Sequence, residues 1–178
     1  MNDDPLPRLG ERIALRRLAP SDLEAFQRYR SDARLARYQG WTPMSNIEAE
    51  AFIAQMRAAP LFSPGAWRQL AIADRATDDL IGDVGLFTAP DHSHVEIGFT
   101  LAAERHGSGL ATEAVRQAIA LVFSSTRIER VVATTDARNA PSIHLLQRLG
   151  FVQTETRRSL FKGEWCDEQS FVAHAATD

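Results

Sequence analysis

Several common designs are closed to this sequence by what it lacks. A single cysteine, Cys166, in 178 residues permits neither an internal disulfide nor a cysteine-rich zinc site, and it fits a reducing compartment. No uninterrupted apolar run approaches the roughly 20 residues of a membrane helix. Met1 to Gly10 is polar and proline-containing, without the apolar stretch of a signal peptide, so a cytoplasmic protein with no membrane partner is expected. Charge of one sign is also scarce. Twenty Lys plus Arg against 23 Asp plus Glu leave a net −3, which gives nucleic acid no whole-molecule attraction. The basic pairs Arg16-Arg17 and Arg157-Arg158 are too short for a nucleic-acid stripe. His92 and His94 have no third ligand spaced near them, so no metal is expected. Tyrosine is limited to Tyr29 and Tyr38, both early in the chain.

What is present suits one folded domain spanning 1–178: 44% hydrophobic and 24% charged residues are ordinary for a globular chain of this length. Ile13 to Leu18 alternates as a strand ending at Pro20, and Ser21 is placed to cap a helix from Asp22 to about Arg37. Ser45 and Glu48 form a capping box that opens a second helix, with Ala49, Phe52, Ile53 and Met56 as its apolar stripe. Trp67 to Asp74, Leu80 to Thr88 and Val95 to Ala102 read as three hairpin-linked strands. Leu110 to about Ser124 has helical spacing, and Val131 to Thr135 is the next strand. Asn139 is placed to cap a last helix that stops at Gly150, and Phe151 to Thr156 and Gln169 to His174 close the chain as strands around a turn at Lys162-Gly163-Glu164. The order β-α-α-β-β-β-α-β-α-β-β predicts an α+β fold.

The strand-turn-helix segment Phe99 to Ala114 is the richest in chemistry. Gly107 and Gly109 allow positive φ and close backbone approach, and the helix that follows offers unpaired N–H groups and partial positive charge, which favour a phosphate or pyrophosphate. A glycine-eased turn without a ligand has the same sequence. No Lys follows Gly109, which excludes a Walker-type loop. A dinucleotide fingerprint keeps two of its three glycines, but the roughly 40 residues after Asp136 are too few for a doubly wound sheet.

Gly107 to Ala114, following Ile97-Gly98-Phe99, resembles the acyl-coenzyme A motif of the GNAT acetyltransferases, and Asn139-Ala140-Pro141-Ser142 through Leu149-Gly150-Phe151 resembles their second block, in the same order. Leu15-Arg16, Ser21-Asp22, Gln39-Gly40-Trp41-Thr42-Pro43, Ile81-Gly82 and Gly163-Glu164-Trp165-Cys166-Asp167 are similar to the RimJ/RimL-type branch, which acetylates ribosomal-protein N-termini. The resemblance implies a mixed, strongly bent sheet of seven strands with about four helices, whose central strands splay to admit acetyl-coenzyme A without a metal. It implies that the backbone of Phe99, Thr100 and Leu101 pairs with the pantetheine arm and the thioester carbonyl. It also implies that N–H groups of His106, Gly107, Ser108, Gly109, Leu110, Ala111 and Thr112 hold the pyrophosphate, although His106 stands where the family usually has Gln or Arg. Homodimers are common in that family.

Acetyl transfer needs a neutral amine, a stabilised oxyanion and a protonated or solvated thiolate. At pH 7 an α-amine near pKa 7.8 costs about 1 kcal/mol to deprotonate, against about 4.6 for a lysine-like amine. Glu96 is the preferred base or amine holder, because alternation sets it opposite Val95, Ile97 and Phe99; a solvated carboxylate is the plainer reading. Asp83 and Asp167 are weaker candidates. In the resemblance Ser142 matches the position where this branch often carries a hydroxyl near the coenzyme sulfur, and no tyrosine fills the late position that many other GNAT enzymes use; Ser142 would equally be a helix-start residue, and Asn139 a helix cap, a contact to the pantetheine arm, or both. Arg105 and Arg148 are candidates for phosphate pairing, and Trp41 for a wall of the acceptor pocket. The reading is an N-acetyltransferase acting on a protein N-terminus or small-molecule amine. A non-catalytic acyl-coenzyme A binding module and a small nucleotide-dependent oxidoreductase are the alternatives.

Overall fold

Two-residue alternation in the middle of the chain builds a sheet with two different faces. Val84, Leu86, Val95 and Ile97 are buried against one side, while Asp83, Gly85, Glu96 and Gly98 turn to the other. The computed structural model describes residues 4–176. Its strands are β1 (Arg8–Leu9), β2 (Ile13–Arg17), β3 (Trp67–Asp74), β4 (Leu80–Thr88), β5 (Val95–Leu101), β6 (Arg130–Asp136), β7 (Val152–Phe161) and β8 (Glu164–His174). They form one eight-stranded sheet in the order β1-β2-β3-β4-β5-β6-β8-β7. Every neighbouring pair is antiparallel except β5 and β6.

Helices α1 (Leu23–Arg30), α2 (Ala33–Ala36), α3 (Asn46–Ala58), α4 (Leu110–Ser125) and α5 (Ala140–Arg148) cover the sheet. The helical spacing of Ala114, Val115, Ala118, Leu121 and Val122 gives α4 a fully buried stripe, which packs with Leu146 of α5 into the core that contains Val84, Leu86, Val95 and Ile97. A second cluster, with Phe26, Tyr29, Ala49, Ile53 and Met56 from α1 and α3, packs on Ala71 of β3. No helix among the described residues is long and apolar enough to cross a membrane.

The α+β architecture, the meander and the capping box are as expected: Ser45 Oγ accepts from Glu48 N–H, and the Glu48 carboxylate accepts from Ser45 N–H. Five elements differ. The sheet has eight strands rather than seven, because Arg8–Leu9 pairs with Ala14 and Leu15. The first helix does not run on to Arg37: Asp32 adopts extended backbone, accepts from Arg34 N–H and starts α2 anew. Ser21 does not cap α1 but lies inside a 3-10 turn over Pro20–Asp22. Strands β7 and β8 extend to the Lys162-Gly163 turn instead of stopping at Thr156 and starting at Gln169. Asn139 makes no side-chain cap on α5; its amide donates to Thr135 Oγ1 at 3.2 Å.

Candidate active site

The parallel ladder between β5 and β6 is short. It pairs Val95 with Val131 and Glu96 with Val132, then stops, whereas β6 stays paired with β8 from Arg130 to Asp136. The two central strands therefore part from Ile97 onward. Because Ala102 N–H donates to Ile81 C=O, antiparallel alternation turns the backbone groups of Leu101 and Phe99 away from β4 and into the gap. Two side chains occupy carbonyls on that edge: Gln39 Nε2 donates to Phe99 C=O at 3.1 Å, and the His106 ring Nε2 lies 2.7 Å from Leu101 C=O. The N–H groups of Phe99 and Leu101 face the same gap.

At the end of β5 the chain makes a 3-10 turn over Ala103–Arg105 and enters α4 through Gly107 at φ 81° and Gly109 at φ 80°. Those left-handed values need glycine. Gly109 caps α4 with no side-chain bond, so the first-turn N–H groups of Leu110, Ala111 and Thr112 are left as donors. A brace from the turn between β1 and β2 holds this turn. Arg12 Nη1 donates to Ser108 C=O at 2.7 Å and Arg12 Nε to Glu113 Oε2 at 3.0 Å, while Glu113 Oε1 accepts from the Arg12 backbone at 2.7 Å. Burial opposes ionisation of Glu113, but the Arg12 and Ile13 N–H groups and the Arg12 guanidinium hold its carboxyl below the usual range.

On the face of α1 to α3, the splay opens into a cavity of ≈ 570 Å³. Glu96, Gly98 and Thr100 supply its β5 side, Thr134 to Asp136 its β6 side, and Cys166 and Glu168 its β8 side, with Trp41, Trp67 and Phe161 among its walls. Glu96 is half-buried and makes no hydrogen bond among the described residues; burial, and then the nearby charge of Glu168, push its carboxyl above the usual range. Asp83 is the opposite case. Its carboxylate is 1% exposed and accepts from Arg30 Nη2 at 2.9 Å, Gln69 Nε2 at 2.9 Å and the Tyr29 hydroxyl. The Arg30 guanidinium lies 4.7 Å from the Phe26 ring centre and 4.8 Å from that of Trp41, so the same ion pair fixes the cavity wall. Trp41 Nε1 also donates to Thr100 Oγ1 at 3.2 Å. At the mouth, the tip of the β7–β8 hairpin reaches across: Lys162 Nζ donates to Ala36 C=O at 2.8 Å and Trp41 C=O at 2.9 Å.

Glu96, Phe99, Thr100 and Trp41 are thus brought together at the splay. Gly107 to Thr112 forms the turn beyond it. Ser142 is half-buried in the first turn of α5, the helix that follows β6. Arg105 is engaged elsewhere, pairing with Asp74 at 3.2 Å. Arg148 is exposed in the last turn of α5, roughly 9 Å along the helix from Ser142. Asp167 faces away from Cys166 and Glu168 along β8 and pairs loosely with Arg158 at 3.7 Å. Arg12, Gln39, Glu168 and Lys162 carry no functional signal of their own in the sequence. Each acts on a partner far away in sequence, and only Glu113, an acid in the first turn of α4, carries a local signal.

The model of the acetyltransferase (GNAT) domain family matches residues 12–152. The uncharacterized N-acetyltransferase p20 of Bacillus licheniformis is 31% identical over 142 residues, covering 79% of this chain and 79% of its own. A GNAT-family acetyltransferase from Bacillus anthracis superposes with TM-score 0.82 at 20% identity, covering 93% of this chain and 96% of its own. RimL, a ribosomal-protein alpha-N acetyltransferase solved in complex with coenzyme A, does so with TM-score 0.81 at 16% identity over 94% of this chain and 97% of its own.

Proposed function

The chain belongs to the GNAT acetyltransferase family, with RimL-type enzymes among its structural neighbours, and from that premise we propose that it moves an acetyl group from acetyl-coenzyme A directly to a primary amine. The observation that carries the reading is the parting of β5 and β6 beyond Glu96 and Val132, which leaves the N–H groups of Phe99 and Leu101 facing a slot. That slot leads to the uncapped α4 terminus, where Gly107 to Thr112 offer donors to a diphosphate. Acetyl-coenzyme A supplies the acetyl group as a thioester.

The residues of the chain do the rest. Glu96, held partly out of water, takes a proton from the acceptor ammonium and frees its lone pair. The gap-facing N–H groups of β5 stabilise the oxyanion that forms as the amine nitrogen adds. When the carbon–sulfur bond breaks, the Ser142 hydroxyl donates a hydrogen bond to the departing thiolate, which takes up the second proton lost by the amine nitrogen. The net exchange yields an amide, free thiol and one proton. Asp83 takes no part, because its charge is already matched by Arg30.

Thermal shift tests this directly. At a hundred times its dissociation constant a ligand adds about 2.7 kcal/mol, roughly 5 to 10 °C for a chain of this size. Acetyl-coenzyme A and coenzyme A should give that shift and NAD should not, and thiol release should follow when an amine is added. No shift with either coenzyme form refutes the reading. A shift with no thiol release from any amine turns it into a non-catalytic acyl-coenzyme A binding module.

A further inference from the structure

The cavity on the α1 to α3 face presents its charges unevenly. Four carboxylates reach it, from Asp83, Glu96, Asp136 and Glu168. Three are already matched: Asp83 by Arg30 at 2.9 Å, Asp136 by Arg138 at 2.7 Å and Glu168 by Arg157 at 3.4 Å. Glu96, unlike those three, makes neither a hydrogen bond nor an ion pair among the described residues. An incoming ligand therefore meets one unmatched negative charge, because the guanidinium groups of Arg30 and Arg157 in the same wall are taken up by Asp83 and Glu168. A polycation would find one free carboxylate there and leave its other charges without a partner.

Much of the remaining lining is apolar and soft, from Trp41, Trp67, Phe52, Phe161, Met44 and Met56, with Gln39, Gln69 and the threonines of β5 and β6 as its uncharged polar groups. Beneath it the sheet is bare backbone, because Gly85 and Gly98 stand directly opposite one another on β4 and β5. The two glycines differ in their room. A Cβ at Gly85 would lie 2.5 Å from Gln69 Oε1, whereas one at Gly98 would meet nothing closer than the Trp67 ring at 3.9 Å. Open space thus lies over Gly98, on the same strand face as Glu96 and two residues along, about 7 Å away. Only a few covalent bonds span that distance.

We propose that the acceptor is a singly charged primary amine with a large apolar group within a few bonds of its nitrogen, such as a peptide or amidated amino acid beginning with an aromatic or long aliphatic residue. The ammonium lies against Glu96 and the apolar group rests over Gly98 between Trp67 and Trp41. Thioether and ring walls accommodate several such side chains. The inference rests on the acetyl-transfer reading above.

The test measures thiol release by the full chain at saturating acetyl-coenzyme A, with phenylalaninamide, leucinamide, glycinamide and spermidine as acceptors, and calorimetric binding of coenzyme A on the same sample. Phenylalaninamide and leucinamide should exceed glycinamide about a hundredfold in kcat/KM, the worth of burying one large apolar side chain, and should also exceed spermidine. Gly98→Val, whose Cβ would meet nothing closer than the Trp67 ring at 3.9 Å, should cut the ratio of phenylalaninamide to glycinamide at least about tenfold. Spermidine or glycinamide turned over as well as phenylalaninamide overturns the acceptor class while leaving acetyl transfer intact, as does a ratio that Gly98→Val does not move. Coenzyme binding with no amine acetylated, or no coenzyme binding at all, overturns acetyl transfer and this inference together.

Discussion

Replacing Asp83 by asparagine separates structure from chemistry in the acidic cluster. The substitution keeps the size of the side chain but removes the charge that faces Arg30, whose side chain is 4% exposed and lies between Phe26 and Trp41. A guanidinium left buried without its counter-ion costs about 3 to 5 kcal/mol. For a chain of this size each kcal/mol is worth roughly 2 to 4 °C, so Asp83→Asn should lower Tm by about 6 to 20 °C. Replacing both partners by apolar residues, Asp83→Leu with Arg30→Met, should recover most of that loss, since no charge is then stranded. Calorimetric scans at pH 7.5 give the comparison. Thiol release at 25 °C, where the variant is still folded, should show kcat within about tenfold of the parent, whereas loss of a general base costs about 10² to 10⁴. A Tm within about 2 °C of the parent, or a kcat loss matching that of Glu96→Gln, would refute the assignment of Asp83 to the floor of the cavity.

Glu96→Gln should retain the acetyl-coenzyme A shift, slow turnover about a hundredfold or more, and remove the acid limb of the kcat/KM profile, which lies above the ordinary carboxylate range because burial and Glu168 raise the Glu96 pKa. The same shift bears on stability. An acid whose folded pKa lies above its unfolded value has full stability below the unfolded value and loses it as pH rises through the folded one, so Glu96→Gln should raise Tm at pH 7.5 and leave it unchanged at about pH 3.5. At Gly109, φ is 80° and an added Cβ would touch only Arg12 Nη2 at 3.5 Å, so Gly109→Ala should cost about 1 to 2 kcal/mol of backbone strain, read as roughly 2 to 8 °C in Tm. Gly109→Val should also abolish the acetyl-coenzyme A shift. Lys162→Ala frees the hairpin tip from Ala36 and Trp41, and should raise the acceptor KM several-fold while leaving coenzyme affinity within about twofold, by steady-state kinetics and calorimetry.

Much of the frame is written in local patterns. Ser45 with Glu48, the alternation of Val84 and Leu86 against Val95 and Ile97, and the helical stripe of α4 all form because neighbouring residues agree on one geometry. Elements without such agreement stayed hidden. Arg8–Leu9 is too short to show a period. The β7 strand is exposed along most of its length, so it has no buried face to impose alternation on Arg157 through Phe161. In the candidate site, Gly107 and Gly109 were legible because positive φ demands glycine, and Glu96 because one charge interrupts an apolar strand. The pairing of Asp83 with Arg30, the Arg12 brace and the Lys162 clasp were not. Each joins segments between about 50 and 130 residues apart, and nothing local in the sequence records such a contact.

Coenzyme binding depends on main-chain donors at the splay and at the start of α4, and amide hydrogen exchange reads those donors one by one. With saturating acetyl-coenzyme A, the amides of Phe99, Leu101, Leu110, Ala111 and Thr112 should slow at least about tenfold while those of exposed β7 stay as they were. Unchanged exchange at Phe99 and Leu101 under conditions where the coenzyme is bound would contradict the account.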